Sequence, residues 1–217
     1  MERIRVLDLG LKDYQSTWVF QERLVERRIC GQMEDSLILV EHFPVITLGR
    51  QGKEEDILVS REFLRQEKIS LFRVNRGGRV TFHGPGQLVA YPILDLSLDQ
   101  KDIHKYIRNL EKVVVRSLDK LGIEGRSISG YTGVWVGERK IASIGIGVKR
   151  WITYHGLSLN VNIDLSYFSL IDPCGLCEFR VTSLAEILGS PVKMDTVKSL
   201  LVNSFCELFL RFPHGWQ

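Results

Sequence analysis

One glycine-rich stretch dominates the sequence: Arg76-Gly77-Gly78-Arg79-Val80-Thr81-Phe82-His83-Gly84-Pro85-Gly86-Gln87. Its glycines let the backbone approach a ligand closely or take positive φ angles, where a side chain would clash. Between the glycines, apolar and polar residues alternate, so a short strand would direct Thr81 and His83 to one face and the apolar residues to the other. A tight hairpin that merely needs glycine is the alternative, but the arginine, threonine, histidine and glutamine side chains around the turns favour a binding loop.

The composition is that of a globular protein. The chain has 217 residues, of which 44% are hydrophobic and 25% charged, and this predicts a single domain over residues 1–217. The net charge of +3 is small and no basic run interleaved with aromatic residues occurs, so we expect no nucleic-acid partner. Charges stand where a signal peptide would be apolar, and no run of 18 apolar residues occurs. We therefore expect no membrane partner and a cytoplasmic location.

The first half of the chain alternates between strand and helix patterns. Two apolar runs joined by a short turn that contains Pro44 indicate a meander. The predicted elements are a strand over residues 3–9, a helix from Tyr14 to Gly31, strands over 37–40 and 45–50 with a turn at 41–44, a short helix from Ser60 and a strand over 69–74.

The second half begins with a long amphipathic pattern and ends with another. A hairpin is expected where the short turn at residues 137–139 separates two apolar strands. The predicted elements are a helix over residues 103–121 that Gly122 closes, strands over 133–136, 140–146 and 151–161, a short helix with a capping box at Ser183, and a last helix that Asp195 caps.

Cysteines stand at positions 30, 174, 177 and 206. Cys30 and Cys206 fall within helix patterns, so we expect both in the core. Cys174 lies between a proline and a glycine just ahead of a helix pattern, a bend that can expose the sulfur. Cys174 and Cys177 could instead form half of a zinc site or a redox pair. However, the chain has no second ligand pair at close spacing, and the motif comes late in the chain.

A reactive cysteine needs a nearby positive charge. A thiol of pKa ~8.5 is only about 3% thiolate at pH 7, and lowering its pKa by about 2 units makes most of it reactive. Lys140 leads a strand of apolar and small residues, where burial against a pocket would lower its pKa and let it accept a proton. The alternative for Lys140 alone is an exposed hairpin lysine beside Glu138 and Arg139.

Taken together, these pieces resemble the lipoyl(octanoyl) transferases, a family within the biotin/lipoate protein ligase superfamily. The resemblance covers nearly the whole chain and keeps the order and spacing of the family's motifs. It rests on Arg76-Gly-Gly-x-x-Thr-x-His83-Gly-Pro-Gly-Gln87 with Tyr91-Pro92, on Lys140-Ile-Ala, on Tyr154-His155-Gly-Leu157, on Pro173-Cys174-Gly175 and on Val181-Thr182-Ser183-Leu184.

This resemblance implies both a fold and a reaction. The implied fold class is α/β (α+β), a mixed β-sheet sandwich with flanking helices, as in biotin and lipoate protein ligases. The implied reaction transfers an octanoyl group from octanoyl-acyl carrier protein to a specific lysine of lipoyl-domain proteins, in protein lipoylation. The acceptors in such a reaction are 2-oxoacid dehydrogenase acyltransferase subunits and the glycine cleavage H protein. No cofactor and no metal are implied.

The resemblance also assigns residues. Cys174 is the implied nucleophile, which carries the acyl group as a thioester, and Lys140 is its catalytic partner. Ser143 and Ser158 stand where alanine is common in the family, and Cys177 is an extra thiol near the nucleophile. The implied substrate-binding residues are Arg76, Gly77, Gly78, Arg79, Val80, Thr81, Phe82, His83, Ser143, Ile144, Gly145, His155, Gly156, Leu157 and Ser158.

The chemistry of such a transfer needs no ATP, because one thioester replaces another before the amide forms. Lys140, aided by His83, is the candidate proton acceptor. The candidates for stabilising the oxyanion are backbone N–H groups around Gly77, Gly78 or Gly175.

Three alternatives stay open. The first is an ATP-dependent lipoate or biotin ligase, which typically has aspartate after the loop histidine, whereas Gly84 follows His83 here. The second is an amidotransferase of the same superfamily that moves octanoyl between protein lysines. The third is a non-catalytic acyl-binding protein. Lys149 and Arg150 are candidate contacts for an acidic carrier.

Overall fold

Two β-sheets and five α-helices make up the part of the chain that the structure, a computed structural model, describes: residues 2–98, 101–172 and 180–215. The elements in chain order are β1 (Glu2–Lys12), α1 (Tyr14–Ile29), β2 (Ser36–His42), β3 (Val45–Leu48), α2 (Arg61–Gln66), β4 (Ser70–Arg73), β5 (Val80–His83), β6 (Gln87–Ile93), α3 (Ile103–Asp119), β7 (Val134–Val136), β8 (Arg139–Lys149), β9 (Ile152–Asn160), α4 (Leu184–Leu188), α5 (Met194–Phe209) and β10 (Arg211–His214).

The larger sheet has seven strands in the order β10-β1-β2-β6-β9-β8-β7. β1 lies parallel to both β10 and β2, whereas β6, β9, β8 and β7 continue the sheet with antiparallel pairs. The sheet is therefore mixed, and with its flanking helices it confirms the predicted fold class. The predicted hairpin is β7 and β8.

The two faces of this sheet carry different residues because successive side chains of a strand point to opposite faces. Leu157 and Leu159 of β9 belong to a large apolar cluster with buried residues of α3 and α5. Helix α1 covers part of the opposite face, where Leu24 and Val25 pack against strand residues such as Val89. The rest of that opposite face carries the polar and glycine residues described below.

The smaller sheet, in the order β4-β3-β5, shows that the predicted meander is wrong. β2 pairs with β1 on one side and with β6 on the other, so neither of its edges is open to β3. The turn at Phe43 and Pro44 instead carries the chain into the second sheet, where β3 pairs with β4 and β5. Glu41 and His42, predicted in the turn, are the last residues of β2.

The chain returns from the smaller sheet to the larger one through the turn after His83. Gly86 has a φ of +83°, and a Cβ there would lie 2.7 Å from the carbonyl carbon of Asn162. Its N–H donates to Glu41 Oε2 at 2.7 Å. Glycine is required at this position, because any side chain would collide with backbone and favour a different φ.

Most predicted helices are confirmed, with their caps. Ser60 accepts from the Phe63 N–H at the start of α2, and Ser183 accepts from the Glu186 N–H at the start of α4. Helix α3 ends close to Gly122, which has a φ of +72°. None of the helices within the described ranges is long and apolar enough to cross a bilayer.

Two predictions about helices are wrong. The N-cap of α5 is Lys193, and Asp195 lies inside the first turn, 3.8 Å from the Lys198 ammonium. Cys30, expected in the core, is the exposed C-cap of α1, because the helix ends just before it and turns its last residue to solvent. Cys206 is buried, as predicted.

Candidate active site

A cavity of about 130 Å³ lies between the glycine-rich stretch and the face of the larger sheet that α3 and α5 leave uncovered. β6, β8 and β9 supply one wall, and the first residue of α1 contributes an aromatic ring. The lining residues are Tyr14, Arg76, Gly78, Arg79, Val80, Thr81, His83, Val89, Tyr91, Thr132, Lys140, Ser143, Ile144, Gly145, His155, Gly156, Leu157 and Ser158.

The structure brings together almost all of the described residues that the sequence singled out. Of the described residues predicted to be catalytic or substrate-binding, only Gly77 and Phe82 are outside the lining. The Phe82 ring stacks on Tyr167 at a centroid distance of 4.7 Å in the core of the smaller sheet. The Gly77 N–H donates to the Ile146 carbonyl at 2.8 Å. Gly77 therefore ties the glycine-rich stretch to β8, and its N–H is already engaged. The oxyanion donors at Gly77, Gly78 or Gly175 stay a prediction.

Two glycines that lie opposite each other on neighbouring strands form part of the cavity wall with their main chain. Gly145 of β8 pairs with Gly156 of β9. A Cβ on Gly156 would lie 2.1 Å from the Ala90 carbonyl oxygen, and one on Gly145 would lie 2.9 Å from the Gly77 carbonyl oxygen. Backbone of neighbouring segments fills the space of the missing side chains, so both positions require glycine.

Arg76 is a buried cation beside the cavity. It is 8% exposed, and its guanidinium donates to the Thr47 carbonyl at 2.7 Å and to Thr47 Oγ1 at 2.8 Å. It also donates to the Gly77 carbonyl at 2.9 Å. No carboxylate in the described ranges forms an ion pair with it. Burial consequently lowers the pKa of Arg76, and neutral oxygens alone stabilise its charge.

Three histidine rings are buried in or beside the cavity: His83 and His155 near Arg76, and His42 next to His83. Burial lowers the pKa of His42 to about 4 and those of His83 and His155 to about 3. All three rings are therefore neutral at pH 7. A ring with so low a pKa is a weak base, which argues against His83 as the proton acceptor.

Sequence reasoning missed Tyr14, His42 and the role of Tyr91. Tyr14 stacks on His83 at a centroid distance of 6.2 Å, and the Tyr91 hydroxyl lies 2.8 Å from His42 Nε2. His42 Nδ1 lies 3.1 Å from the Lys12 carbonyl and must donate to it, so Nε2 accepts from Tyr91. Tyr91 belongs to the quoted motif, whereas Tyr14 fits the apolar face of α1 and gives no separate signal.

Lys140 extends from the start of β8 towards the cavity. Its ammonium lies 5.2 Å from the centroid of the Trp135 ring, a cation–π distance. The backbone of Lys140 is fixed on its other side, because its N–H donates to the Arg180 carbonyl at 2.8 Å and its carbonyl accepts from the Thr182 N–H at 3.0 Å. The expectation that Lys140 has a lowered pKa stays a prediction.

Gly133 provides the room that the Lys140 side chain occupies. A Cβ on Gly133 would lie 2.6 Å from Lys140 Cε. The Gly133 N–H donates to Glu111 Oε1 at 3.1 Å, and Glu111 is a fully buried carboxylate of α3. Glu111 thus holds the loop that packs against Lys140.

Cys174 and Cys177 lie outside the described residues, as do Pro173 and Gly175. The described chain on either side is anchored. The Asp172 N–H donates to the Asp56 carbonyl at 2.8 Å, and Arg180 accepts from the Lys140 N–H. Arg180, the first described residue after this segment, thus lies beside Lys140.

Comparison with known proteins gives consistent matches. A model of the lipoyl protein ligase A/B catalytic domain matches residues 13–206. A protein named octanoyltransferase from Caldanaerobacter subterraneus subsp. tengcongensis is 49% identical over 210 residues, which cover 96% of this chain and 91% of that protein. Another octanoyltransferase, from Caldicellulosiruptor bescii, is 48% identical over 208 residues, or 95% of this chain and 91% of that protein.

Solved structures share the fold at lower sequence identity. A bipartite lipoate protein ligase from Thermoplasma acidophilum matches with a TM-score of 0.76 and 20% identity over 99% of this chain and 86% of that one. A biotin protein ligase from Aquifex aeolicus matches with a TM-score of 0.57 and 16% identity over 97% of this chain and 71% of that one. The fold is that of lipoate and biotin protein ligases.

Proposed function

Because the chain belongs to the lipoyl protein ligase A/B catalytic-domain family and is an octanoyltransferase of protein lipoylation, we propose that it works through an acyl-thioester on Cys174, with Lys140 as the proton acceptor. The proposed donor is octanoyl-acyl carrier protein. The proposed acceptors are lysines of lipoyl domains, in 2-oxoacid dehydrogenase acyltransferase subunits and in the glycine cleavage H protein. We propose that residues 1–217 form one catalytic domain, and the cytoplasmic location stays a prediction.

The observation that carries the proposal is the cavity with Lys140 on its lining. Its wall consists of main chain at Gly145 and Gly156 and of apolar side chains such as Val89. A flexible acyl chain can lie along the main chain and apolar side chains of such a wall. Neutral histidines keep additional charge out of the cavity.

The first proposed step is a thioester exchange. The Cys174 thiolate attacks the octanoyl carbonyl carbon, a C–S bond to Cys174 forms, and the C–S bond to the carrier breaks. The carrier leaves as a thiolate and takes up the proton that Cys174 lost. Bond types are conserved in this exchange, so no ATP is needed. A cation next to Cys174 would favour its thiolate, and Lys140 is the proposed cation.

The second proposed step forms the amide. The amine of the acceptor lysine attacks the acyl-enzyme, a C–N bond forms, and Cys174 leaves as a thiolate. The proton lost by the amine goes to Lys140, which requires Lys140 to be neutral at that point. The low pKa of His83 supports Lys140 rather than the histidine in this role.

Intact-protein mass spectrometry tests the covalent intermediate. The enzyme is incubated with octanoyl-acyl carrier protein without ATP, and its mass is expected to increase by one octanoyl group. Cys174→Ser should show no labile adduct, whereas the matched control Cys177→Ser should keep it. An undiminished adduct in Cys174→Ser, or its loss only in Cys177→Ser, would remove Cys174 from the proposed role.

Two further assays separate the alternative reactions. Octanoate with ATP as the only donor should give no product, and product formation there would indicate a ligase. An octanoylated lipoyl-domain protein should be a poor donor compared with octanoyl-acyl carrier protein, and the reverse ranking would indicate an amidotransferase. Failure of every donor, in an enzyme that still binds octanoate, would indicate an acyl-binding protein.

A further inference from the structure

Gln87 belongs to the glycine-rich motif, but the reaction described above gives it no role. It is 1% exposed and lies directly opposite Asn160 in the pairing of β6 with β9. Its amide contacts His83 on one side and Asn160 on the other, and Asn160 in turn contacts the chain at Thr182. Both amides are buried, so their hydrogen bonds have little competition from solvent.

Hydrogen bonds connect Thr182, Asn160, Gln87 and His83 in a series. The direction of each bond in this series can be determined by starting at Thr182. The Thr182 carbonyl can only accept, so Asn160 Nδ2 donates to it at 2.9 Å. Asn160 therefore turns its oxygen to Gln87, whose Nε2 donates to it at 2.9 Å and to the Phe82 carbonyl at 3.3 Å. This leaves the Gln87 oxygen to face His83 Nδ1 at 2.7 Å. An oxygen cannot donate, so Nδ1 carries the proton.

Thr182, where this series of hydrogen bonds begins, also supports Lys140. The Thr182 N–H donates to the Lys140 carbonyl at 3.0 Å, and Thr182 Oγ1 donates to Glu186 at 2.6 Å. One residue therefore connects the strand that carries Lys140 with the amides that end on His83. His83 belongs to the smaller sheet, whereas Gln87, Asn160 and Lys140 belong to the larger one.

We infer that Gln87 and Asn160 are positioning residues: they fix His83 as the Nδ1–H tautomer, with Nε2 unprotonated, and hold this part of the cavity wall in register with Lys140. The tautomer follows from the contacts alone, and its effect on octanoyl transfer rests on the proposed function. A protonated His83 would place a second positive charge near the buried Arg76, in a cavity proposed for an apolar chain. The groups that face His83 are Tyr14 from α1, His42 from β2, Arg76 from the glycine-rich stretch, Gln87 from β6 and His155 from β9.

Nitrogen-15 NMR of the histidine rings tests the tautomer without any substrate. The chain contains five histidines, and the His83 signals are assigned by their loss in His83→Gln. In the wild type at pH 7, Nδ1 should give the signal of a protonated ring nitrogen and Nε2 that of an unprotonated one. A protonated Nε2 in the folded wild type would overturn the inference.

Variants of the two amides test the positioning role. Asn160→Ala frees the Gln87 amide to rotate, and part of the His83 population should change to the Nε2–H tautomer. Gln87→Glu places a carboxylate beside Nδ1, so His83 should bind a proton at higher pH than in the wild type. For both variants, KM for octanoyl-acyl carrier protein should rise by about 10-fold, because a buried polar group loses its partner or gains charge. In Gln87→Glu the KM should recover as the pH is raised and His83 loses its proton.

Asn162→Ala is the matched control. The Asn162 side chain is exposed and makes two hydrogen bonds of 2.8 Å with the Val192 backbone, and it contacts neither His83 nor the cavity lining. Its spectrum and KM should equal those of the wild type. Unchanged His83 signals and unchanged KM in Asn160→Ala and Gln87→Glu would overturn the positioning role. If octanoyl transfer fails in every form of the enzyme, the proposed function is wrong, and the ring signals still decide the tautomer.

Discussion

The two faces of the larger sheet are formed by the same strands but carry different kinds of residue. On the face covered by α3 and α5, side chains such as Leu159 of β9 pack in an apolar cluster. On the other face, β9 presents Gly156, Ser158 and Asn160, which are also almost fully buried. These residues of β9 are thus buried to a similar degree on both faces, but on the cavity face they are polar or glycine.

This difference shows how one sheet separates stability from chemistry. Apolar side chains stabilise the fold in proportion to the surface that they remove from water. Buried polar groups stabilise little, and each requires a hydrogen-bond partner. The polar part of the cavity face therefore contributes little to stability, which depends on the apolar clusters under α3 and α5 and under α1. Substitutions on the two faces should consequently change different measurements.

The largest expected effect is on the cavity face, at Lys140. Lys140→Met keeps most of the length of the side chain and removes its charge and its proton-accepting amine. If Lys140 is the proton acceptor, kcat should fall by about 10²- to 10⁴-fold, while the free energy of unfolding changes little because the side chain lines a cavity. Steady-state kinetics and urea unfolding give the two numbers.

Lys112→Met is the control for this change. Lys112 is an exposed lysine of α3, on the helix that covers the other face. Its kcat and its free energy of unfolding should both equal those of the wild type. A Lys140→Met enzyme with more than half of the wild-type kcat would show that Lys140 takes no part in proton transfer.

The next effect is on the face covered by α3 and α5, at Leu159. This side chain is 1% exposed within the apolar cluster, and Leu159→Ala should lower the free energy of unfolding by about 2–5 kcal/mol. At a temperature where the variant is folded, kcat and KM should be within about twofold of the wild type, because Leu159 does not line the cavity. A large loss of kcat/KM in the folded variant would mean that the two faces are coupled.

The difference between the faces also explains what the sequence could predict. Strand patterns and most helix caps could be read directly, because local chemistry determines them. The grouping of the glycine-rich stretch with residues 143–145 and 155–158 came from the resemblance to the lipoyl(octanoyl) transferases. The separation of β2 and β3 into two sheets could not be predicted. A short turn between two apolar runs looks the same whether the strands pair or diverge, and only the pairing of β2 with β1 and β6 decides it.

Individual site residues escaped for related reasons. Tyr14 satisfies the apolar face of α1, so nothing in the pattern separates a cavity ring from a core ring. His42 was placed in a turn, whereas it ends β2 and bonds to Tyr91. The hydrogen bonds that join Gln87, Asn160 and Thr182 connect residues far apart in sequence. Such long-range partners depend on the packing of β6, β9 and the chain before α4.

The third expected effect is the pH dependence of stability that the buried histidines cause. His42, His83 and His155 have pKa values of about 4, 3 and 3 in the folded chain, against about 6.5 when unfolded. Below about pH 6.5 the unfolded chain binds protons that the folded chain does not. The free energy of unfolding therefore decreases as the pH is lowered. The loss should continue down to about pH 4, with a slope of up to about 1.4 kcal/mol per pH unit for each histidine.

Urea unfolding between pH 8 and pH 4 measures this slope. In His83→Gln the slope should correspond to about one proton fewer taken up on unfolding. In His104→Gln the slope should be unchanged, because His104 is exposed on α3. An equal slope in wild type and His83→Gln would show that His83 is not kept neutral by the fold.

The smallest effect distinguishes the two faces by one hydroxyl each. Ser158 is 4% exposed, lines the cavity and pairs with Ser143 across β8 and β9. Ser204 of α5 is fully buried, and its hydroxyl has no hydrogen-bond partner within the described part of the chain. Ser204→Ala should therefore raise the free energy of unfolding by about 1 kcal/mol and leave the kinetics unchanged.

Ser158→Ala should change stability by less than about 0.5 kcal/mol. It should lower KM for octanoyl-acyl carrier protein by about 2- to 5-fold, because the bound acyl chain no longer covers a hydroxyl. If both alanine variants change stability alone, Ser158 does not contact the acyl group, and the cavity face would be no more specialised than the helix face at this position.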